Sequence, residues 1–578
     1  MRVVATAGHV DHGKSSLVLA LTGTNPDRFE EERRRGLTID LGFAHTTLPS
    51  GEGVSFIDVP GHVRFLRNML AGVGGVDACM FVVAATEGWK PQSEEHLRIL
   101  ELLGLRHGIV AMTKTDLVDD EWRELQEMDI RDHLAGTFLA EAPIVGVSAT
   151  TGGGLTELSA ALDELVRSTP PASDRDRSRL WIDRVFAARG SGTVVTGTLT
   201  GGSLVVDQHV AVAPHGMDVR VRSVQSHGNR VEAIGPGNRV AVNLSGVDHH
   251  QLARGDALVV AAQWRPTRRF DATLRVLPSL DHDVSRRGAY VAYIGSGEFT
   301  VKVRVLGSEA IAPGGDGLVR LHLPVALPLL PGDRFVLRES GRNETVGGGE
   351  VLDVAPTLPA SKARPDRSVD RVVAEHGWVE VDELEALTGE RREPTLGQWV
   401  VAPAALTSTS DAVHARVVDA GPLGLDVSAL NDRERATLAR MADVSIDAGR
   451  ARLAEVRDPL ADHPFVAALL AAGVSPPDPV GVDRAELREL VRRKLIVERD
   501  GLFFHPTAID ATAQAAAKLL GELPDGFTMS QLRDLLGVSR KYALPLANEL
   551  DARGVTRRRD DLRIAGPRLP GGAGSAPA

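Results

Sequence analysis

The stretch "GHVDHGKS", Gly8–Ser15, decides the fold of the first part of the chain. It follows the strand-like run "MRVVATA" and precedes the helical pattern "SLVLALTG". Glycines and a Lys-Ser pair at this spacing, between a strand and a helix, are typical of a phosphate-binding loop (P-loop), whose backbone N–H groups surround phosphate oxygens. Lys14 would bring a positive charge to the β- and γ-phosphates of a nucleotide, and Ser15 would offer a hydroxyl to Mg²⁺. The predicted contacts are Gly8, His9, Val10, Asp11, His12, Gly13, Lys14, Ser15 and Ser16.

Three further motifs end strand-like runs: "DVPG" (Asp58–Gly61), "TKTD" (Thr113–Asp116) and "SAT" (Ser148–Thr150). Asp58 is placed to hold the ligand shell of Mg²⁺, and Gly61 to sense a γ-phosphate. A carboxylate at Asp116 accepts the N1 and N2 donors of guanine, whereas adenine offers the opposite pattern of donors and acceptors. The motifs together predict GTP or GDP as the ligand. The predicted base contacts are Thr113, Lys114, Asp116, Ser148 and Ala149.

The composition limits the class of protein. The 578 residues are too many for one hydrophobic core and indicate several domains. A net charge of −11 argues against non-specific coating of nucleic acid or membrane. The single cysteine, Cys79, excludes a disulfide within the chain and a cysteine-rich metal site, so a reducing cytoplasm is expected. The apolar stretches are too short or too interrupted to span a bilayer, so no membrane contact is expected.

The pattern along the chain predicts a multidomain architecture. Residues 1–170 alternate strand-like and helical runs, which predicts an α/β P-loop GTPase domain with a parallel sheet. Residues 179–355 carry short strands of period two with glycine turns, which predicts one or two antiparallel β-barrels. Residues 367–568 combine helices with short strand pairs, the layout of α+β winged-helix repeats, in three or four units with the last at about 525–568. Residues 569–578 are expected to be a disordered tail.

The segments "GHVDHGKS", "RGLTID" and "DVPGHVRFLRNML" resemble the translational GTPases of the elongation factor Tu type. The resemblance extends to about Ala355 and implies two barrels, residues 179–265 (domain II, with an aminoacyl-tRNA pocket) and 266–355 (domain III). It also implies functional residues, which are the Mg²⁺ ligands Ser15, Thr38 and Asp58 (the last through water), the catalytic His62 and a hydrophobic gate of Val10 and Leu37.

One position departs from the family pattern. The base-reading motif begins with Thr113, where the family has asparagine. An amide bonds the base and bridges two loops, and a hydroxyl can do less of this, so an altered nucleotide affinity is expected. Asp116 should preserve the selectivity for guanine.

The chain continues for more than two hundred residues past the second predicted barrel. "RRGLTIDLGF", "TKTD" and the order of the domains resemble the bacterial selenocysteine-specific elongation factors. This resemblance implies a monomer that brings selenocysteinyl-tRNA to a ribosome at a recoded UGA codon. Its C-terminal region would hold an mRNA hairpin, the selenocysteine insertion element, beside that codon.

The resemblance also implies a selenocysteine pocket formed by Asp183, Arg184 and Arg239. A selenol is ionised near neutral pH, so an arginine would attract it more than the neutral hydroxyl of serine. Neighbouring residues of a strand point to opposite faces, so Asp183 and Arg184 can share a pocket only where the strand ends or bulges. The alternative is an ordinary ion pair on the barrel surface.

The stretch "GVSRKYALPLANELDARGVTRRRDDLRI", Gly537–Ile564, predicts a helix followed by an arginine-rich hairpin. Ser539 is a good N-cap for that helix, and Pro545 is expected to kink or weaken it. Residues 525–568 contain nine basic and six acidic residues, a local excess of positive charge within an acidic protein. The predicted RNA-binding residues are Arg540, Lys541, Arg557, Arg558 and Arg559.

Two other functions fit the sequence less well. One is another elongation factor Tu-like ribosomal GTPase with a different C-terminal partner. The other is a DNA-binding regulator with a GTPase sensor, which would be expected to dimerise and bind a palindromic duplex.

Overall fold

The computed structural model describes residues 2–27, 30–35, 38–188 and 192–570. The predicted gate residue Leu37 and residues 571–578 of the predicted tail lie outside these ranges. The chain forms two compact units, residues 1–402 and 403–578, which are described separately. No helix within the described ranges is long and apolar enough to cross a membrane.

Unit one begins with an α/β domain built on a six-stranded sheet. Its strands are β1 (Arg2–Ala7), β2 (Gly42–Thr47), β3 (Gly53–Asp58), β4 (Ala78–Ala84), β5 (Gly108–Thr113) and β6 (Ile144–Gly146). Its helices are α1 (Lys14–Thr22), α2 (Glu30–Arg35), α3 (Leu66–Val73), α4 (Pro91–Leu102), α5 (Asp120–Leu134) and α6 (Leu155–Ser168).

The strand order is β2-β3-β1-β4-β5-β6, and β2 runs antiparallel to its neighbour while the other pairs are parallel. Every residue of β4 is buried because apolar clusters cover both faces of the sheet. The parallel strands end at one edge, so the P-loop after β1, Asp58 at the end of β3 and Thr113 at the end of β5 meet there. This edge positions the nucleotide site.

The first barrel follows, with strands β7 (Arg179–Trp181), β8 (Arg184–Ala188), β9 (Gly192–Thr200), β10 (Leu204–Val205), β11 (His209–Ala213), β12 (Met217–Ser226), β13 (Asn229–Val231), β14 (Ala233–Ile234), β15 (Asn238–Ser245) and β16 (Ala257–Val259). Six of them pair in the order β11-β16-β7-β9-β15-β12, and the pairing of β11 with β12 closes the ring. Alternate valines and leucines, such as Val195 and Leu199 of β9, fill the interior.

The second barrel comprises β17 (Thr267–Val276), β18 (Val284–Ser285), β19 (Tyr290–Ile294), β20 (Gly297–Leu306), β21 (Ala310–Ile311), β22 (Asp316–Leu327), β23 (Arg334–Glu339) and β24 (Glu344–Asp353). The closed order is β17-β22-β20-β19-β23-β24, and all these pairs are antiparallel. The prediction of two antiparallel barrels is therefore confirmed.

Unit one ends in a small helical group, α7 (Val369–His376), β25 (Trp378–Glu380), α8 (Val381–Thr388) and β26 (Trp399–Val401). The segment that leads to it packs on the second barrel, where Arg320 donates to the carbonyl of Leu358 at 2.9 Å. Arg371 of α7 also bonds Asp353 of the barrel at 2.9 Å. This group is therefore held against the second barrel.

Unit two contains α9 (Pro403–Asp419), β27 (Leu425–Asp426), α10 (Asp432–Leu438), β28 (Val444–Asp447), β29 (Arg450–Leu453), α11 (Pro464–Ala472), α12 (Arg484–Arg492), β30 (Val497–Arg499), β31 (Leu502–Phe504), α13 (Pro506–Glu522), β32 (Phe527–Thr528), α14 (Met529–Leu536), α15 (Arg540–Arg553), β33 (Thr556–Arg559) and β34 (Leu562–Ala565). The last three helices pack on the sheet β32-β34-β33 around Phe527, Leu532 and Leu546, which is the predicted winged helix. The number of such units and their boundaries stay predictions.

Helix α15 has the predicted start but differs in two details. Ser539 is its N-cap residue, yet the serine side chain makes no capping hydrogen bond. The helix continues through Pro545, whose ring is buried. Pro545 is the sixth residue of the helix and has no N–H to donate to the carbonyl of Lys541, yet it does not end the helix.

Candidate nucleotide site and the adjoining barrel pocket

The P-loop has a backbone that only particular residues tolerate. Gly8 has φ 127°, and a Cβ there would lie 2.1 Å from the carbonyl oxygen of Val82. Gly61 of the "DVPG" motif packs directly on the loop, since a Cβ there would lie 2.6 Å from the backbone nitrogen of Val10 and 2.5 Å from the Lys14 Nζ. The motif predicted to sense a γ-phosphate therefore touches the loop predicted to hold it.

Lys14 is buried at the centre of the loop. Its Nζ donates to the carbonyl oxygens of His9 at 2.6 Å and Gly8 at 3.1 Å. Burial, opposed by the negative charges of nearby aspartates, lowers the pKa of Lys14 to about 8. The loop thus fixes the direction of the ammonium group before any phosphate contributes.

The three predicted Mg²⁺ ligands come together. The Ser15 hydroxyl donates to the carboxylate of Asp58 at 2.6 Å and lies 2.7 Å from the Thr38 hydroxyl oxygen. Thr38 in turn donates to Asp27 at 2.9 Å. Burial raises the pKa of Asp58 to about 6, against the hydrogen bond from Ser15 and the charge of Lys14.

The four side chains around Ser15 form an oxygen cluster of the kind that suits a divalent cation. Ser15, Thr38, Asp27 and Asp58 make three short oxygen–oxygen contacts, but the two hydroxyls supply only two hydrogens. A dense group of hydroxyl and carboxylate oxygens is the ligand type that Mg²⁺ prefers. The residues present therefore fit the ion. The sequence did not indicate Asp27, which belongs to no motif.

The base-reading motifs lie at the same sheet edge. The Thr113 hydroxyl donates to the carbonyl oxygen of His12 at 2.6 Å, so it provides the bridge between loops that was expected to be weakened. Lys114 has φ 58° and pairs with Glu87 at 3.1 Å. Asp116 is exposed in a short turn, where a base could reach it.

The "SAT" motif is ordered by its own loop. Ser148 is buried, its N–H donates to the carbonyl of Gly153 at 2.9 Å, and its hydroxyl accepts from the N–H of Thr151 at 3.1 Å. Because the N–H of Ser148 is engaged in this way, Ala149 is the better candidate to donate to a base carbonyl.

The predicted catalytic residue His62 is half-buried after the "DVPG" motif. Its Nδ1 accepts the backbone N–H of Arg64 at 3.2 Å, so the neutral ring carries its proton on Nε2. The predicted gate residue Val10 is half-buried as well. The roles of both residues stay predictions.

Helix α4 supports the P-loop through residues that the sequence analysis missed. The N–H of Gly8 donates to Nδ1 of His96 at 3.1 Å, and the N–H of Val10 donates to Gln92 at 3.3 Å. Burial lowers the pKa of His96 to about 3, which keeps the ring neutral and its nitrogen able to accept. These residues lie 88 and 82 positions from the loop residues that they contact, and their spacing in the sequence carries no signal.

A break between two strands explains how Asp183 and Arg184, which are neighbours in the sequence, can both lie at the barrel pocket. Strand β7 ends at Trp181 and β8 begins at Arg184, so Asp183 lies in a break between strands. Its buried carboxylate receives two hydrogen bonds from Arg239, at 2.6 and 3.0 Å, and one from Thr196 at 2.7 Å. The pair is buried, with 6% and 11% of its side chains exposed, so it is not an ordinary surface ion pair.

Phe43 of β2 brings the two predicted arginines together. The guanidinium carbon of Arg184 lies 3.9 Å from the Phe43 ring centroid, and that of Arg239 lies 3.5 Å from it. Arg184 also donates to the carbonyl of Leu41. Beside this group is a cavity of about 190 Å³. The pocket therefore joins the barrel to the strand that follows Thr38, and Phe43 is the pocket residue that the sequence analysis did not single out.

The five predicted RNA-binding residues are exposed, Arg540 and Lys541 in the first turn of α15 and Arg557, Arg558 and Arg559 along β33. Other basic residues of the same region pair with acids. Arg563 bonds Asp551 at 3.0 Å, and Arg553 bonds Glu549 at 2.9 Å. Lys541 also has an acidic neighbour, but its Nζ lies 3.8 Å from the carboxylate of Asp478 and both side chains are exposed, so Lys541 stays part of the basic surface, whereas the buried Arg563 holds the fold.

The first domain has the features of a GTP-binding domain, with a P-loop at the end of β1 and a guanine-reading motif at the end of β5. Two antiparallel barrels follow it, and this order of domains defines the translation factor class. The family model "Elongation factor Tu GTP binding domain" matches residues 1–168. "Selenocysteine-specific elongation factor, beta-barrel domain" matches residues 273–358, and "Elongation factor SelB, winged helix" matches residues 518–565.

Individual proteins agree with these matches. The chain is 31% identical to elongation factor Tu 2 of Streptomyces avermitilis over 384 residues, 61% of this chain and 96% of that protein. It is 42% identical to the selenocysteine-specific elongation factor of Desulfomicrobium baculatum over 351 residues, 61% of this chain and 55% of that protein. A crystal structure of the bacterial selenocysteine-specific elongation factor EF-Sec superposes with a TM-score of 0.74 at 25% identity, covering 98% of this chain and 99% of that one.

The chain belongs to the translational GTPases of the elongation factor Tu family and, within them, to the bacterial selenocysteine-specific elongation factors. It spans about half the length of the curated selenocysteine-specific relatives that it matches.

Proposed function

We propose that the protein is a GTP-dependent elongation factor that delivers selenocysteinyl-tRNA to the ribosome at recoded UGA codons in the cytoplasm. The observation that carries the proposal is the contact of Arg184 and Arg239 with Phe43, beside the carboxylate of Asp183. Two guanidinium groups and one carboxylate would favour an anion over a neutral group. A selenolate is such an anion, and the hydroxyl of serine is neutral.

The nucleotide chemistry proposed is hydrolysis of GTP by water. Lys14 would hold the β- and γ-phosphates, and Ser15, Thr38 and Asp58 would hold Mg²⁺, which when bound neutralises charge on the phosphates. Nε2–H of His62 would orient the attacking water, and Val10 with Leu37 would gate its approach. Positioning of this kind supplies most of the catalysis in phosphoryl transfer to water.

The base would be read at the other end of the site. Asp116 would accept the guanine donors, and Ala149 would donate to the base carbonyl. Thr113 and Lys114 would support the base site indirectly. Thr113 bonds the P-loop to β5, and Lys114 pairs with Glu87. GDP would keep these contacts, so GTP and GDP would differ in their contacts with Thr38 and Gly61.

The last winged helix is proposed to bind an mRNA hairpin, the selenocysteine insertion element. Arg540 and Lys541 add charge to a helix N-terminus, which already favours phosphate. Arg557, Arg558 and Arg559 extend the basic surface along β33. The major groove of an RNA helix is too narrow for side chains, so phosphate contacts and an unstacked loop base are expected. The acidic remainder of the monomer would avoid other RNA.

Reconstituted translation of a reporter with an internal UGA codon tests this function. We expect full-length product only when selenocysteinyl-tRNA, GTP and a message with the hairpin are all present. Full-length product that is independent of the hairpin and of the charged amino acid would favour another ribosomal GTPase. Dimerisation and binding of a palindromic DNA duplex, without stimulation of translation, would favour a DNA-binding regulator.

A further inference from the structure

Arg254 connects three segments that the nucleotide site and the barrel pocket depend on. It lies in the loop before β16, and its guanidinium donates three hydrogen bonds of 2.8 Å each. Nη2 binds the carboxylate of Asp40, Nη1 binds the side-chain oxygen of Asn68, and Nε binds the backbone carbonyl of Asp183. One planar group thus joins two parts of the GTPase domain to the barrel.

The two GTPase segments are those beside Thr38 and His62, the residues predicted to contact Mg²⁺ and the attacking water. Asp40 is two residues after Thr38, and Asn68 lies on α3, which follows the segment of His62. The side-chain amide of Asn68 also donates to the carbonyl of Ile39 at 2.7 Å. Arg254 therefore contacts the Thr38 segment and α3 beside the point where these two segments contact each other.

The Thr38 segment is held in this arrangement from its other side as well. The buried carboxylate of Glu32 accepts the N–H groups of Ile39 at 2.9 Å and Asp40 at 3.1 Å. These bonds orient the Asp40 side chain, which is 21% exposed, toward Arg254. Burial alone would raise the pKa of Asp40, but the hydrogen bond and the charge of Arg254 hold it below its usual value. The pair is thus ionised and partly shielded from water.

A guanidinium presents its donors in a rigid, planar fork, so its bonds to two segments require both segments to be correctly placed. If the Thr38 segment moved away, the hydrogen bond between Asp40 and Arg254 would break. The guanidinium would then be held less firmly in its position against the carbonyl of Asp183. The same residue, Asp183, positions Arg239 in the pocket. A change at the nucleotide would in this way reach the pocket through a single side chain.

We propose that Arg254 is a positioning residue that couples the arrangement of the Thr38 segment and α3 seen in this structure to the barrel pocket. Its effect on tRNA rests on the proposed function, whereas the coupling itself does not. In its three hydrogen bonds Arg254 contacts neither the P-loop nor the base-reading motifs, so it acts on the nucleotide only through the Thr38 segment and α3. Coupling free energies of this kind typically correspond to about 5- to 150-fold changes in affinity.

Hydrogen exchange on the full chain tests the coupling without tRNA. In the wild type, a non-hydrolysable GTP analogue should slow exchange, relative to GDP, both in peptides around residues 38–41 and in peptides around residues 182–186. In Arg254→Met the first response should persist and the second should disappear. The control is Arg220→Met, because Arg220 forms an exposed ion pair with Asp207 on the surface of the same barrel. A pocket response that persists in Arg254→Met would overturn the proposal.

A second measurement compares the affinity of the GTP and GDP forms for selenocysteinyl-tRNA. The preference for the GTP form should fall about tenfold or more in Arg254→Met. Asp40→Asn should weaken it in the same direction, and the double variant should lose no more than Arg254→Met alone, because both act on one bond. Additive losses would overturn the proposal. If the wild type shows no preference for the GTP form, the proposed function fails, while the exchange experiment still decides the coupling.

Discussion

The hydroxyl of Thr113 donates a hydrogen bond to the carbonyl oxygen of His12 at 2.6 Å, inside the GTP-binding domain. The bond joins the start of the base-reading motif to the P-loop, and both groups are buried. A hydroxyl thus performs the bridging that an amide performs in the family pattern.

Replacement of Thr113 by valine should weaken nucleotide binding. The carbonyl of His12 would lose its donor in a buried place, which costs about 1–3 kcal/mol. We expect affinities for GTP and GDP to fall together by about 5- to 150-fold in equilibrium titrations, with guanine still preferred over adenine because Asp116 is intact. The matched variant Thr113→Asn restores an amide and should bind at least as tightly as the wild type. Unchanged binding in Thr113→Val would show that the bridge is dispensable.

Replacement of His62 by alanine should slow the chemical step. Loss of a group that orients a reacting water costs about 10²–10⁴-fold in rate. Single-turnover hydrolysis of GTP on the ribosome measures this step apart from nucleotide binding. His107→Ala, at a position outside the nucleotide motifs, is the control. A rate within threefold of the wild type would remove His62 from the catalytic role.

The buried ring of His96 should make the GTPase domain sensitive to acid. Its pKa is lowered from 6.5 to about 3 in the folded protein, so the unfolded chain binds more protons between these values. Stability from this group is therefore complete above pH 6.5 and is lost as the pH falls. The loss at pH 5 is about 2 kcal/mol.

Urea unfolding at pH 7 and pH 5 measures this effect. In His96→Gln the side-chain oxygen can still accept the N–H of Gly8, but the side chain does not titrate. The urea midpoint of this variant should therefore change less between the two pH values than that of the wild type. An equal change in both proteins would show that other groups cause the acid sensitivity. His133→Gln, on the half-exposed face of α5, serves as the control.

Replacement of Arg540 and Lys541 by glutamine should weaken binding of the mRNA hairpin in a way that depends on salt. Each lost phosphate contact makes the fall of log affinity with log salt concentration shallower, by about 1 in the slope. Arg553→Gln is the control, since Arg553 pairs with Glu549 and lies at the other end of α15. Fluorescence anisotropy at several salt concentrations gives both the affinity for the hairpin and the slope of its salt dependence. An unchanged slope would place the RNA elsewhere on the protein.

The parts of the site that could be predicted from sequence are those that lie within short motifs. "GHVDHGKS" forms its loop from eight consecutive residues, so its spacing alone indicates phosphate binding. The alternating strands predicted both barrels for a similar reason, because period two is a local property.

Other parts depend on contacts between distant residues. His96 reaches Gly8 across 88 positions, and Arg254 reaches Asp40 across 214. The break between β7 and β8 falls in "RLWIDRVF", which has no glycine or proline to mark it. Tertiary packing, rather than local pattern, brings Asp183 and Arg239 together.

The most direct test of the proposed carrier function is protection of the aminoacyl ester of tRNA from spontaneous hydrolysis in the presence of GTP. Selenocysteinyl-tRNA and seryl-tRNA on the same tRNA body are compared for the wild type, Arg184→Met and the control Arg220→Met. We expect stronger protection of the selenocysteinyl ester by the wild type and the control, and loss of that preference in Arg184→Met. Equal protection of both esters by the wild type would contradict the charged pocket, and no protection of either would contradict the carrier function.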